Sequence, residues 1–222
     1  MSWTLIAHGV GTSTVTLNTT GADLIVIGTS GGSSGMSDNQ GNTYTQIDTN
    51  NVSGRQVGIT YFVHNPTTAA SCTFTTGQFA ASFEVQVWSG SGTGTVLDQH
   101  TTLVTNGNGS LTTAQTGSIT PTTNGQLIVA FWALDDPADT SDTVDSSMTI
   151  SDHFYTVVGA TFGSIMSYLA PQTTAAAINP TLTRSGGGAP PTGRGTVGMI
   201  ASFKGAAAAG DTLQGGVPLL MM

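Results

Sequence analysis

No stretch of this chain keeps the period of about 3.6 residues that an amphipathic helix needs. Apolar residues instead alternate with polar ones or run together in short blocks, and clusters of Gly, Asn, Pro and Ser separate the blocks. That punctuation predicts strands over Trp3–His8, Ser13–Leu17, Leu24–Gly28, Thr43–Ile47, Val57–His64, Ser71–Thr75 and Ser82–Trp88. Further strands are expected over Ala114–Thr120, Gln126–Ala133, Met148–Ser151, Tyr155–Thr161, Ile165–Leu169, Ala177–Thr183 and Val197–Phe203. The run Ala206–Ala209 is too short to count as a helix. So many strands without a helix to cover them must bury their apolar faces against one another, which is an all-β sandwich.

The chain also echoes itself. Leu24-Ile25-Val26 recurs as Leu127-Ile128-Val129, Tyr44-Thr45 as Tyr155-Thr156, and Ile59-Thr60-Tyr61-Phe62 as Met166-Ser167-Tyr168-Leu169. Thr73-Phe74-Thr75 returns as Thr181-Leu182-Thr183, and the block Phe83–Trp88 as Gly198–Phe203. The order never changes. We read two similar halves, about 1–105 and 106–205, followed by a Gly/Ala-rich tail over 206–222. The halves are either two parts of one roll or two small tandem sandwiches. The first reading is preferred, because no Pro-rich or charged linker divides them.

Charge narrows the function classes. Only 7% of the 222 residues are charged, against roughly a quarter in ordinary soluble domains. The formal net charge is −8, with Lys204 the only lysine and Arg55, Arg184 and Arg194 the only arginines. Binding phosphates needs clustered cations, so neither nucleic acid nor an anionic membrane is an expected partner. No apolar run approaches the roughly 18 residues of a membrane span. Cys72 is the only cysteine, which excludes an intrachain disulfide. The first residues lack the basic start and apolar run of a secretion signal, so production in a cytoplasm is expected.

Against that background, Asp38-Asn39-Gln40-Gly41-Asn42-Thr43-Tyr44 resembles the D-x-x-G-N-x-Y turn of a broad group of jelly-roll, lectin-like domains. These occur in phage structural proteins and bacterial surface proteins. The Leu-Ile-Val strand, the Phe83–Gly90 strand ending in Trp-Ser-Gly, and the closing Ile200-Ala201-Ser202-Phe203-Lys204 also fit the group. The resemblance covers about residues 1–205. It implies a jelly-roll-like β-sandwich with two pseudo-repeated halves, and a virion structural protein assembled in a host cytoplasm. The expected role is capsid decoration (cement) on the outer shell surface. The expected partners are the major capsid protein or other virion subunits and further copies of the chain, most simply as a trimer. The competing role is a glycan-binding receptor module of a tail or head fibre. A host-encoded lectin-like module ranks third.

Few residues suggest chemistry. Gly28-Thr29-Ser30-Gly31-Gly32 matches G-x-S-x-G, but Ser33-Ser34-Gly35-Met36-Ser37 is loop sequence where a nucleophile elbow needs a helix. No enzyme is expected, and Ser30→Ala is expected to leave the fold unchanged. His8, His64, His100 and His153 have no metal-ligand spacing, and Glu84 is the only glutamate, which rules out a Glu–Glu pair. The acidic segment Asp135–Asp145 offers Asp135, Asp136 and Asp139 as oxygen ligands for Ca²⁺, or else is simply a solvated loop. Trp3, Tyr61, Tyr168, Phe154 and Tyr155 are expected to pack rather than to form a sugar-stacking platform. At the end of the tail, Val217, Leu219, Leu220, Met221 and Met222 suit a groove on a neighbouring subunit, with folding back onto their own domain as the alternative.

Overall fold

The computed structural model describes residues 2–31, 35–52, 56–77, 82–107, 112–135, 141–154, 162–185 and 194–206. Among them every regular element is a strand. The first eight are β1 (Thr4–Gly11), β2 (Thr14–Leu17), β3 (Leu24–Ser30), β4 (Met36–Asp38), β5 (Thr45–Val52), β6 (Gln56–His64), β7 (Cys72–Thr76) and β8 (Ser82–Ser89). Eight more follow: β9 (Leu97–Gly107), β10 (Thr113–Gln115), β11 (Gln126–Asp135), β12 (Ser141–Val144), β13 (Thr149–Phe154), β14 (Phe162–Gln172), β15 (Thr181–Ser185) and β16 (Arg194–Phe203).

These strands form four antiparallel sheets. The first half has a five-stranded sheet, β1-β8-β3-β6-β5, and a three-stranded sheet, β2-β7-β4. The second half has β9-β16-β11-β14-β13 and β10-β15-β12. Each strand of the first half therefore has its mate eight strands later, in the same place in the same kind of sheet. Each half closes its own pair of sheets. The junction lies between Ser89 and Leu97, because β9 pairs with β16 and so belongs to the second half.

Three apolar layers hold the four sheets. Ile25, Ile27, Phe83, Val85 and Val87 pack against Val15, Cys72 and Phe74 of the small first-half sheet. Ile128, Ala130, Trp132 and Ile200 pack likewise against Ala114 and Leu182 in the second half. Between the two large sheets lie Leu24, Val26, Trp88, Leu127, Val129, Phe131, Met199 and Phe203. The large sheets are thus covered on both faces, which is why β3 reads Leu-Ile-Val-Ile and is buried from end to end. The small sheets are covered on one face only, and β2 and β10 alternate exposed and buried residues.

The halves meet with approximate twofold symmetry, β1 beside β13 and β5 beside β9. Trp88 packs on Tyr168 with ring centroids 4.9 Å apart, and the mates Phe203 and Phe62 pack at 5.8 Å. His8 Nδ1 lies 3.0 Å from the Asp152 carboxylate, and its mate His100 Nδ1 lies 2.8 Å from Asp48. Even the irregularities match. Register shifts fall between Leu5 and Ala7 in β1 and opposite Ser202/Phe203 in β9. A second matched pair lies between Gln46 and Asp48 in β5 and between Ile150 and Asp152 in β13. Each shift re-aims an edge strand, and the second pair places the two aspartates that the histidines reach.

The repeats read from the sequence mostly keep their register. Leu24 and Leu127 are both fully buried at matched positions, and Trp88 pairs with Leu24 as Phe203 pairs with Leu127. Thr73-Phe74-Thr75 and Thr181-Leu182-Thr183 also correspond. The match of Tyr61 with Tyr168 is one residue out of step. Val26 faces Phe62 and its mate Val129 faces Tyr168, so Tyr168 corresponds to Phe62. Tyr61 points instead into the outer core of its half. Tyr155 lies outside the described residues.

Candidate functional site

Features shared by both halves are what the fold itself requires, so a site peculiar to one half is the more informative place to look. The acidic segment belongs to such a place. Its C-terminal part is not loop but strand β12, in which Asp142 stands opposite Arg184 of β15. The Asp142 carboxylate is fully buried and lies 3.2 Å from His153 Nε2, and Arg184 is 6% exposed. Burial, and next the positive charge of Arg184, push the His153 imidazole down to about 4, so it is neutral near pH 7. The corresponding register positions in the first half are Met36 opposite Thr76. A charged group therefore stands where the fold accepts an apolar one.

Asp145 is used locally as well: its Oδ1 accepts the Thr181 N–H at 2.7 Å and the Ser146 hydroxyl at 2.9 Å. Asp135 ends β11 opposite Phe162, while Asp136 and Asp139 lie outside the described residues. Among the described residues no cluster of three His, Cys, Asp or Glu side chains could hold a metal ion.

The turn around Asp38 performs a structural task. One carboxylate oxygen accepts the backbone N–H of Gln40 at 2.9 Å and of Asn42 at 3.1 Å. The other accepts Asn42 Nδ2 at 2.8 Å and the Tyr44 hydroxyl at 2.5 Å. Burial alone would raise this carboxyl, but those donors, Tyr44 first, outweigh it and hold it below the usual range. Gly41 takes a φ of 76°, which a side chain would resist. Beneath the turn Cys72 is a fully buried core side chain, and burial and then Asp38 raise its thiol to about 11, which keeps it protonated.

Ser30 is not an exposed nucleophile either. It ends β3, is fully buried, and donates its hydroxyl to Gly163 O at 2.8 Å across the plane between the halves. Sequence reading treats this serine as dispensable; its position makes it a link between the halves. Trp3, Tyr61, Trp88 and Trp132 lie in the cores. Tyr168 and Phe154 are partly buried on strands of the second half's large sheet. No surface platform of aromatic rings results from them.

The outer faces of the two small sheets are polar but uncharged. On the outer face of one small sheet Thr14, Thr75 and Ser37 stand in register and exposed. On the other, Thr113, Thr183 and Thr143 occupy the matched positions, also exposed. Thr16 and Thr73 share a hydrogen bond of 2.9 Å beside the first rank. The sequence shows these threonines as alternating residues; only the register lines them up across strands. Set against known protein families, curated proteins and solved structures, the chain matches none.

Proposed function

We propose that this chain is a virion structural protein, a capsid decoration (cement) protein that binds the outer shell surface and acts through assembly. The observation that supports this most is the pair of opposite outer faces tiled with hydroxyls. Neutral hydroxyls are desolvated against a neighbour at lower cost than Lys or Glu, and a flat three-stranded face offers them in regular ranks. The nested pairing of strands 1 with 8, 2 with 7 and 3 with 6 in each half supports a jelly-roll-like reading, with the fifth strand added to the larger sheet. Two such sandwiches back to back give one subunit two outward faces, enough to bridge adjacent shell subunits.

In this reading Val217, Leu219, Leu220, Met221 and Met222, all outside the described residues, dock on the capsid or on a neighbouring copy, most simply within a trimer. Asp135, Asp136 and Asp139 belong to the same proposal as ligands for Ca²⁺. The test uses purified particles. The subunit should be located on the outer shell by imaging, and particles lacking it should lose resistance to heat. A chelator arm tests calcium separately. Density confined to a tail or head fibre would overturn the decoration role in favour of glycan binding.

A further inference from the structure

The two halves differ at the plane where they meet, and the difference follows a pattern. On one side of the approximate twofold the first half supplies Ser30, Ser82, Glu84 and Gln86, all fully buried. The register of β3 and β8 against that of β11 and β16 makes their mates Ala133, Val197, Met199 and Ala201. Those four are apolar and also buried. At these four positions the other side of the plane packs with apolar groups alone.

Three of the four polar residues are satisfied across the plane. Ser30 donates to Gly163 O, Ser82 and Ser164 share a hydrogen bond of 2.8 Å, and Gln86 Nε2 donates to Ser151 Oγ at 2.8 Å. Glu84 is the exception. Its carboxyl is fully buried, and neither oxygen has a hydrogen bond of good geometry among the described residues, because the nearby Ser164 hydroxyl is shared with Ser82. Across β8, strand β3 brings no charged side chain. Strand β1 brings His8, which is turned to Asp152 at the plane's edge. From the other half, β13 brings Asp152 and His153, the latter turned to Asp142. Strand β14 brings Tyr168, packed on Trp88, and Ser164, bonded to Ser82. Among the described residues no cation faces the carboxyl.

We propose that Glu84 is the pin of a pH-sensitive latch between the halves: the neutral carboxyl lets the plane close, and its ionisation loosens this side of the plane while the outer sheets stay formed. Burial raises the Glu84 carboxyl well above its ordinary value of 4.5, the Ser164 hydroxyl counters this in part, and the Asp152 carboxylate adds to it. The sign follows from that direction. A carboxyl that holds its proton more tightly folded than unfolded contributes stability in acid, and the contribution is lost as pH rises towards the raised value. Met199 shows that an unbranched neutral side chain of similar length fits the mated position, so Glu84→Gln and Glu84→Met should both fold.

The proposal is independent of any assembly role. Its test is backbone amide exchange on the full chain, with wild type and E84Q compared at each pH between about 5 and 9. The wild-type to E84Q ratio of exchange rates cancels the intrinsic pH dependence. Over β8, β13 and β14 that ratio should climb with pH, by at most about tenfold per unit for one linked proton. Over β2, β7, β10 and β15 it should stay near one. E84M should behave as E84Q does. A ratio that is flat with pH would overturn the latch, as would an equal rise in all four sheets. Failure of both variants to fold would overturn it too, since the carboxyl would then be needed to build the plane.

Discussion

Asp98 fixes a corner of the second half through hydrogen bonds to the same carboxylate. It accepts the Thr122 N–H and hydroxyl at 2.7 Å each and Gln126 Nε2 at 2.7 Å, and Lys204 Nζ lies 3.2 Å away. Burial would raise this carboxyl, but those donors outweigh it and hold it at about 2. Because the folded value lies below the ordinary 3.8, the stability it brings is complete above about pH 4 and fades as the pH falls through about 2. Asp98→Asn should cost about 1–3 kcal/mol near neutrality. In urea titrations the gap between wild type and variant should close in acid. A gap independent of pH would mean that the charge contributes nothing. Sequence reading passes over Asp98 because its partners lie 24 and more residues away. It does recover the Asp38 turn, whose partners Gln40, Asn42 and Tyr44 are all local. Ser30 falls between the two cases: the Gly-Ser run around it is visible, but the carbonyl it meets is on another sheet.

At the scale of strands, what the sequence reveals depends on how each strand is covered. β3 and β11, buried on both faces, stand out as apolar runs, and β2, β7 and β10 as alternation. β9 escapes because it is an edge strand of Gln99, His100, Thr101 and Thr102 whose pairing with β16 carries it, not its own hydrophobicity. β12 escapes because its aspartate looks like loop sequence until Arg184 and His153 are placed beside it. β4 is only three residues long. Strand contacts also yield a prediction. A Cβ added to Gly28 of β3 would lie 2.2 Å from the Phe131 ring of β11, and that ring is itself buried. Gly28→Ala should cost about 1–3 kcal/mol or more through overpacking. Phe131→Leu should relieve part of that cost. In a urea double-mutant cycle the pair should be less destabilised than the sum of its singles. Additive effects would mean that the ring simply moves aside and the plane is looser than its packing implies.

The whole molecule behaves as a face-to-face pair of sandwiches joined in one chain, and the physics of that pair gives the last prediction. The plane between the halves is lined by Trp3, Leu24, Val26, Val52 and Trp88 on one side and Val96, Leu127, Val129, Phe131, Met166, Met199 and Phe203 on the other. Each side chain of this size contributes about 1.5–3 kcal/mol when buried, so either half alone would present a large apolar face to water. The mates are alike enough that the face resembles the self-complementary patch of a twofold dimer. We expect residues 2–94 and 95–206, produced separately, to aggregate or to pair with their own kind. Co-expressed, they should elute as one complex of the full chain's size, because only the mixed pair recovers Trp88 on Tyr168 and Phe203 on Phe62 together with both His–Asp contacts. Chain cleavage removes the linkage but not the contacts, so the complex should dissociate at low concentration. Size-exclusion chromatography over a dilution series decides it. A first half that remains a folded monomer at high concentration would show that its small-sheet core suffices, and that the central plane contributes less than its area suggests.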